Sequence, residues 1–177
     1  MSKLTPEVTR RLDELISRYP VKKAALLPAL WVMQEVYGGV LTSEAMRETA
    51  EYLELPPAEV AGVATFYTMY NKERLGRHNI EICQNVPCMA FGAEELIAHC
   101  ERRLGIHAGE TTPDGTFTLS RVECLGACCN APAVQVGGTY YEDVTIPRME
   151  TLLEELKAAP SETEKPPQGL ISETLSF

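Results

Sequence analysis

A chain of 177 residues, 45% hydrophobic and 23% charged, is long enough to bury a core as one domain or as two small ones. The longest uncharged apolar run, Ala24 to Met33, is too short for a bilayer and contains Pro28, so no membrane span is expected. The net charge of -9 is uneven: residues 1–75 carry nine Lys/Arg against ten Asp/Glu and residues 76–177 seven against fifteen, which argues against a nucleic-acid partner.

Thr5-Pro6-Glu7 reads as a helix N-cap, a first-turn proline and an early acid, and Val8, Leu12, Leu15, Ile16 and Tyr19 follow at helical spacing. A second helix carries Leu26, Leu27, Leu30, Trp31 and Val36, tolerates Pro28 near its first turn and stops at Gly38-Gly39. Thr42 or Ser43 caps a third, through Ala45, Met46, Thr49 and Leu53. Pro56-Pro57-Ala58-Glu59 opens a fourth, with Val60, Val63, Ala64 and Tyr67 on one face. Short connections make this an all-helical N-terminal bundle, assigned to residues 1–75. Trp31, Phe66, Tyr67 and Tyr70 read first as packing residues of that bundle, and second as a docking surface.

Beyond Arg77 the period changes from helical to alternating, with Ile80 and Ile82 on one face of a strand that ends at Cys83. Phe91, Leu96, Ile97, Cys100 and Leu104 form a helical stripe ending at Gly105. Pro113-Asp114-Gly115 is a turn before a second strand with Phe117, Leu119 and Val122. Val134 and Val136 make a third strand, Gly137-Gly138 a hairpin turn, and Tyr140-Tyr141 a fourth. Pro147 starts a last helix with Met149, Leu152, Leu153 and Leu156 inward. The fold class is therefore α+β: a helical bundle followed by a βαβββα, thioredoxin-like domain over residues 76–158, with a tail at 159–177.

All six cysteines lie between positions 83 and 129, in two close pairs and two further thiols, Cys100 and Cys129. The start, Met-Ser-Lys-Leu-Thr-Pro-Glu, has no secretory apolar segment, so the expected compartment is the cytoplasm, where a metal site is favoured over disulfides. A strand-helix-strand crossover makes the first two strands parallel. The loop from Cys83 to Cys88 and the loop from Cys124 to Cys128 then leave the same end of the sheet, where open sheets place ligands. Gaps of four and three residues suit either structural zinc or a two-iron cluster, and the long separate loops favour two irons. His78, His99 and His107 lack the pattern of a Rieske site and read as surface residues, and the absence of Cys-x-x-Cys disfavours thiol exchange.

Ala64-Thr65-Phe66-Tyr67, Gly109-Glu110-Thr111-Thr112 with Asp114-Gly115, Glu123-Cys124-Leu125-Gly126-Ala127-Cys128, Asn130-Ala131-Pro132 and Tyr140-Tyr141-Glu142-Asp143 carry a more specific signal. Together they resemble the small two-iron subunit family of the NADH-oxidising module of respiratory complex I, of bacterial type, over roughly residues 5–157. That resemblance implies one [2Fe-2S] cluster held by Cys83, Cys88, Cys124 and Cys128, with loop amides donating to the sulfurs. Cys129 departs from the small or apolar residue usual there and makes a second ligand set conceivable, because Cys124 to Cys129 repeats the four-residue gap of the first pair; the family's second spacing of three favours Cys128. Cys100, on the helical stripe, reads as a core residue.

The resemblance implies an electron-transfer subunit of NADH:quinone oxidoreductase without a complete active site of its own. Its partners are then a subunit that binds FMN and NADH and further iron-sulfur subunits, in a peripheral arm facing the cytoplasm. Consistently, the chain has no Gly-x-Gly-x-x-Gly and no Walker sequence. Related subunits serve NAD-linked hydrogenases and formate dehydrogenases, which is the alternative within the class; a structural zinc module and a free-standing ferredoxin are alternatives outside it. The tail from Ala158 to Phe177 is expected to lie extended on a partner subunit through Leu170, Ile171, Leu175 and Phe177.

Overall fold

The structure, a computed structural model, describes residues 3–158. The predicted tail and its four apolar side chains lie outside the described residues. The chain divides into two compact units, the first running to Arg74 and the second beginning at Leu75.

The first unit is helical. Helix α1 (Pro6–Ile16) starts where the Thr5 hydroxyl accepts the Val8 amide at 3.4 Å, and it buries Leu12 and Leu15. A 3-10 turn, Lys22–Ala25, feeds α2 (Leu26–Val36), whose Leu26, Ala29, Leu30, Val32 and Met33 are all buried. Helix α3 (Ser43–Leu53) is capped by Thr42, which accepts the Ala45 amide at 3.1 Å, and ends on Glu54 in the left-handed region. Helix α4 (Pro57–Phe66) packs Val60 and Ala64 inward. The segment after α4 is tied back by the buried Gln34 amide, which accepts the Asn71 N–H at 2.7 Å. It is tied also by the Tyr70 hydroxyl, which donates to the Leu27 carbonyl at 2.9 Å.

Two expectations for the aromatic residues are corrected here. Tyr19 lies beyond the end of α1 and is exposed. Tyr70 is core and Trp31 packs beside it at 5.9 Å, but Phe66 is 77% exposed and Tyr67 37%. The reason is that α4 stops at Phe66 and the chain turns extended at Tyr67, which frees both rings from the helix's buried face.

The second unit is a four-stranded sheet with helices on one face. In chain order it holds β1 (His78–Cys83), α5 (Val86–Ala90), α6 (Ala93–Leu104), β2 (Phe117–Val122), β3 (Val134–Val136), β4 (Thr139–Tyr141) and α7 (Ile146–Ala158). The strand order is β2-β1-β3-β4, with β1 parallel to β2 and the other neighbours antiparallel. Period two puts Ile80, Ile82, Phe117, Leu119, Val134 and Val136 on one face, where they pack with Leu96, Ile97 and Cys100 of α6 and Met149, Leu152 and Leu153 of α7. The opposite face is polar: Asn79 and Ser120 side chains hydrogen-bond at 2.7 Å, and Glu81 stands beside Ser120 and Gln135 in register.

Helix α5 is not among the elements expected from the sequence. Asn85 accepts the Val86 amide at 2.8 Å and Pro87 sits in the first turn, two helix-start signals packed into a stretch read as loop. In consequence Phe91 follows α5 instead of joining the stripe of α6, and it is 68% exposed, while Ala93 takes the buried position. His78 and His99 are half-buried and not surface residues: His78 lies 5.8 Å from the Phe117 ring and His99 meets Glu150 of α7, whereas His107 is exposed as expected.

Candidate metal centre

The site is built at the carboxyl ends of β1 and β2. Parallel pairing sets Cys83 opposite Val122, the Gln84 amide donates to the Val122 carbonyl at 2.9 Å, and the Cys83 amide donates to the Ala133 carbonyl at 3.1 Å. Three chain segments therefore meet where β1 ends. Cys83 and Cys88 are both 2% exposed and pack with Ala93, Ala131 and Ala133. Cys88 is carried into place by α5, so the Asn85 cap positions a thiol as well as a helix.

The second loop leaves β2 beside the first. Cys124 lies two residues past β2 and Cys128 begins a 3-10 turn, Cys128–Asn130; their sulfurs are 4.0 Å apart. Gly126, at φ 82°, turns the loop between them and donates its N–H to the Cys124 sulfur at 3.3 Å. The Ala131–Pro132 bond that follows is cis. The two loops meet in one packed cluster: Leu125 and Ala127 of the second lie against Cys83, Cys88, Ala93, Ala131 and Ala133.

Electrostatics distinguish the thiols. Burial pushes the Cys83 thiol up, but the Asn85 and Leu125 amides and the Cys88 hydrogen bond outweigh it, so its pKa falls below the ordinary thiol value. Burial pushes Cys88 up, against the Ala133 N–H, and negative charge on Cys83 and Cys128 pushes it further. Cys128 is raised chiefly by its hydrogen bond with Cys124 and by that neighbour's charge, then by burial and by Cys83 and Cys129. Negative charge on one sulfur thus raises the Cys88 and Cys128 thiols beside it, and a bound cationic group removes that effect.

Two cysteine pairs, one packed in a buried cluster and the other with its sulfurs 4.0 Å apart, suit a group that presents two metal ions, one to each pair. Among the described residues no group of three or more His, Cys, Asp or Glu side chains is arranged to hold a metal ion. The donor chemistry fits a two-iron cluster: four soft thiol sulfurs on two loops that pack together, with the Gly126 N–H aimed at the Cys124 sulfur. Cys129 is exposed beside Cys128, and Cys100 lies fully buried in the core of α6, with burial first and then Glu150 and Glu101 pushing its thiol up to about 12. Sequence reasoning missed the individual donors Leu125 and Ala133. Backbone amides carry no residue signature, and only the Gly126 turn hinted at them.

Residues 12–157 match the family described as thioredoxin-like [2Fe-2S] ferredoxin. The chain is 44% identical over 145 residues to the E-type subunit of NADH-quinone oxidoreductase from Rickettsia felis, covering 81% of this chain and 87% of that protein. It is 44% identical over 148 residues to the second E-type subunit of the same enzyme from Rhizobium meliloti, covering 84% and 88%. It is 39% identical over 155 residues to the mitochondrial NADH dehydrogenase [ubiquinone] flavoprotein 2 of Dictyostelium discoideum, covering 86% of this chain and 63% of that one. Among solved structures it shares the fold of a chain of an NAD+-reducing [NiFe]-hydrogenase in the H2-reduced state, at a TM-score of 0.63 and 24% identity over 73% of this chain, which spans 22% of the hydrogenase chain. The chain belongs to the thioredoxin-like [2Fe-2S] ferredoxin family, among the E-type subunits of NADH-quinone oxidoreductase.

Proposed function

We propose that this chain is the electron-transfer subunit of an NADH-quinone oxidoreductase, with Cys83, Cys88, Cys124 and Cys128 as the ligands of one [2Fe-2S] cluster. The observation that carries the ligand set is the meeting of the two loops beside Cys83, where Leu125 and Ala127 of the second loop pack against the buried cluster that holds Cys83 and Cys88. When bound, the cluster accepts and gives up one electron. The chain's own residues do the rest. The buried pair Cys83 and Cys88 holds one side in a water-poor pocket, the exposed pair Cys124 and Cys128 holds the other at the surface, and the amides of Asn85, Leu125, Gly126 and Ala133 stabilise charge on sulfur.

The surface pair gives the reading its direction: electrons enter and leave through the exposed thiolate side, toward a partner. That partner is a subunit that binds FMN and NADH, with further iron-sulfur subunits beyond it in a peripheral arm on the cytoplasmic side. The likeness to subunits of NADH-quinone oxidoreductase and of the mitochondrial NADH dehydrogenase supports this assembly. Among the described residues no helix is long and apolar enough to cross a membrane. The negative charge of residues 76–177 disfavours an added electron, so a negative reduction potential is expected.

Iron and acid-labile sulfide analysis with a visible spectrum tests the cofactor: two irons, two sulfides and a coloured protein are expected, and one zinc with no colour overturns the reading. Co-purification with a flavoprotein tests the assembly. A chain that remains alone when that flavoprotein is co-expressed is a free-standing ferredoxin instead.

A further inference from the structure

The exposed thiol Cys129 has no place in the ligand set above, yet it lies one residue from Cys128 in the same short turn. Adjacent Cα atoms are about 3.8 Å apart, so the two thiols draw on nearly the same anchor point. The gap from Cys124 to Cys129 is four residues, the gap that separates Cys83 from Cys88. In this fold that gap already brings two thiols into one buried cluster, since Cys83 and Cys88 pack together with Ala93, Ala131 and Ala133. A thiol pair with four residues between its members is therefore a geometry the sheet edge accommodates.

The turn is also constrained in a way that leaves the choice open. Its far end is fixed at Asn130, whose side chain donates to Asp143 at 3.0 Å and whose carbonyl accepts the Asp143 N–H at 2.8 Å. At its near end Gly126 is left-handed with open space around it. Cys128, Cys129 and Asn130 are all exposed, so no buried side chain of the turn must be extracted from the core for it to rotate. Successive side chains of a 3-10 turn point roughly 120° apart, so exchanging one thiol for the other requires about a third of a turn, confined to the segment between Gly126 and Asn130.

We propose that Cys128 and Cys129 form an interchangeable ligand pair, in which Cys129 takes the position of Cys128 on the cluster when the Cys128 thiol is lost. This rests on the ligand reading above. In the exchange the bond from iron to the Cys128 sulfur breaks, the Cys129 thiol gives its proton to solvent and its sulfur bonds to iron at the vacated position; no electron is transferred. The consequence is a cluster that survives chemical damage at the more exposed of its two sides.

Alanine variants of the full chain test it, because alanine offers no oxygen ligand and the positions are exposed, so the fold does not depend on them. Iron and sulfide content and the electron paramagnetic resonance spectrum of the reduced protein are read for Cys124→Ala, Cys128→Ala, Cys129→Ala and the double variant Cys128→Ala with Cys129→Ala. Cys128→Ala is expected to retain at least half of the cluster with a shifted spectrum, Cys129→Ala to match the parent, and the double variant to lose the cluster. Loss in Cys128→Ala as complete as in the double variant overturns the proposal, as does equal retention in both, or loss in Cys129→Ala. Cys124→Ala separates the two levels: its loss of the cluster upholds the underlying ligand reading whatever Cys129 does, and its retention of the cluster brings that reading down.

Discussion

Cys83 stands opposite Val122 in the parallel β1–β2 ladder, and this one register pair puts the end of the first cysteine strand level with the end of the second. From there Cys124 is two residues away, and Leu125 and Ala127 of its loop pack against the cluster that holds Cys83. Serine at Cys83 or at Cys124 is accordingly expected to abolish or alter the cluster, read by iron content and visible absorption. A parent-like spectrum in either variant contradicts the assignment.

Cys100 is expected to behave as a core residue. Fully buried, with its thiol pushed up to about 12 chiefly by burial and then by Glu150 and Glu101, it should resist alkylation in the folded protein and react only on unfolding. Cys100→Ser should keep the cluster and lower stability by about 1–3 kcal/mol, from burying a hydroxyl without a partner. Mass spectrometry after alkylation in native and denaturing buffer checks the first point, and denaturant melts the second.

Gly76 packs against the backbone of β2. A Cβ at this position would lie 2.8 Å from the Phe117 carbonyl carbon, and backbone cannot step aside as a side-chain end can. Gly76→Ala is expected to destabilise the second unit by about 1–3 kcal/mol. An unchanged melting curve would show that the loop moves freely.

In the first unit, the Tyr52 hydroxyl donates to the Asp13 carboxylate at 2.7 Å and lies 3.2 Å from the Thr9 carbonyl, tying α3 to α1. Burial and then the Asp13 hydrogen bond raise its pKa to about 12, so the link persists across the ordinary pH range. Tyr52→Phe should cost about 1–2 kcal/mol and leave the cluster spectrum untouched. A spectral change in this variant would contradict a purely structural role.

Glu150 of α7 joins α6 through Arg103, at 3.0 Å, and His99, at 2.6 Å. The Arg103 hydrogen bond first, and the His99 one second, hold its carboxyl below the ordinary carboxylate range. The folded pKa lies below the unfolded one, so the contribution is complete above the unfolded value and is lost as pH falls through the folded value. Glu150→Gln should therefore melt lower than the parent near neutrality, with the difference shrinking in acid. A difference that is constant from neutral to acid pH removes this account.

Periodicity, caps and turn residues determined the elements: Thr5 as one N-cap and Thr42 or Ser43 as another, Gly38-Gly39 as a stop, the Gly137-Gly138 hairpin and the alternation from Ile80 to Ile82 are local signals with local causes. The convergence of the two cysteine loops was legible as well, because a strand-helix-strand crossover makes its strands parallel whatever fills them. Only the tertiary structure decided which thiols are buried, which amides reach sulfur, that Phe66 and Tyr67 leave the core while Tyr70 enters it, and that the Cys83–Cys88 stretch holds a turn of helix. These depend on which segments lie side by side, and a backbone N–H looks the same at every residue until folding brings a sulfur to it.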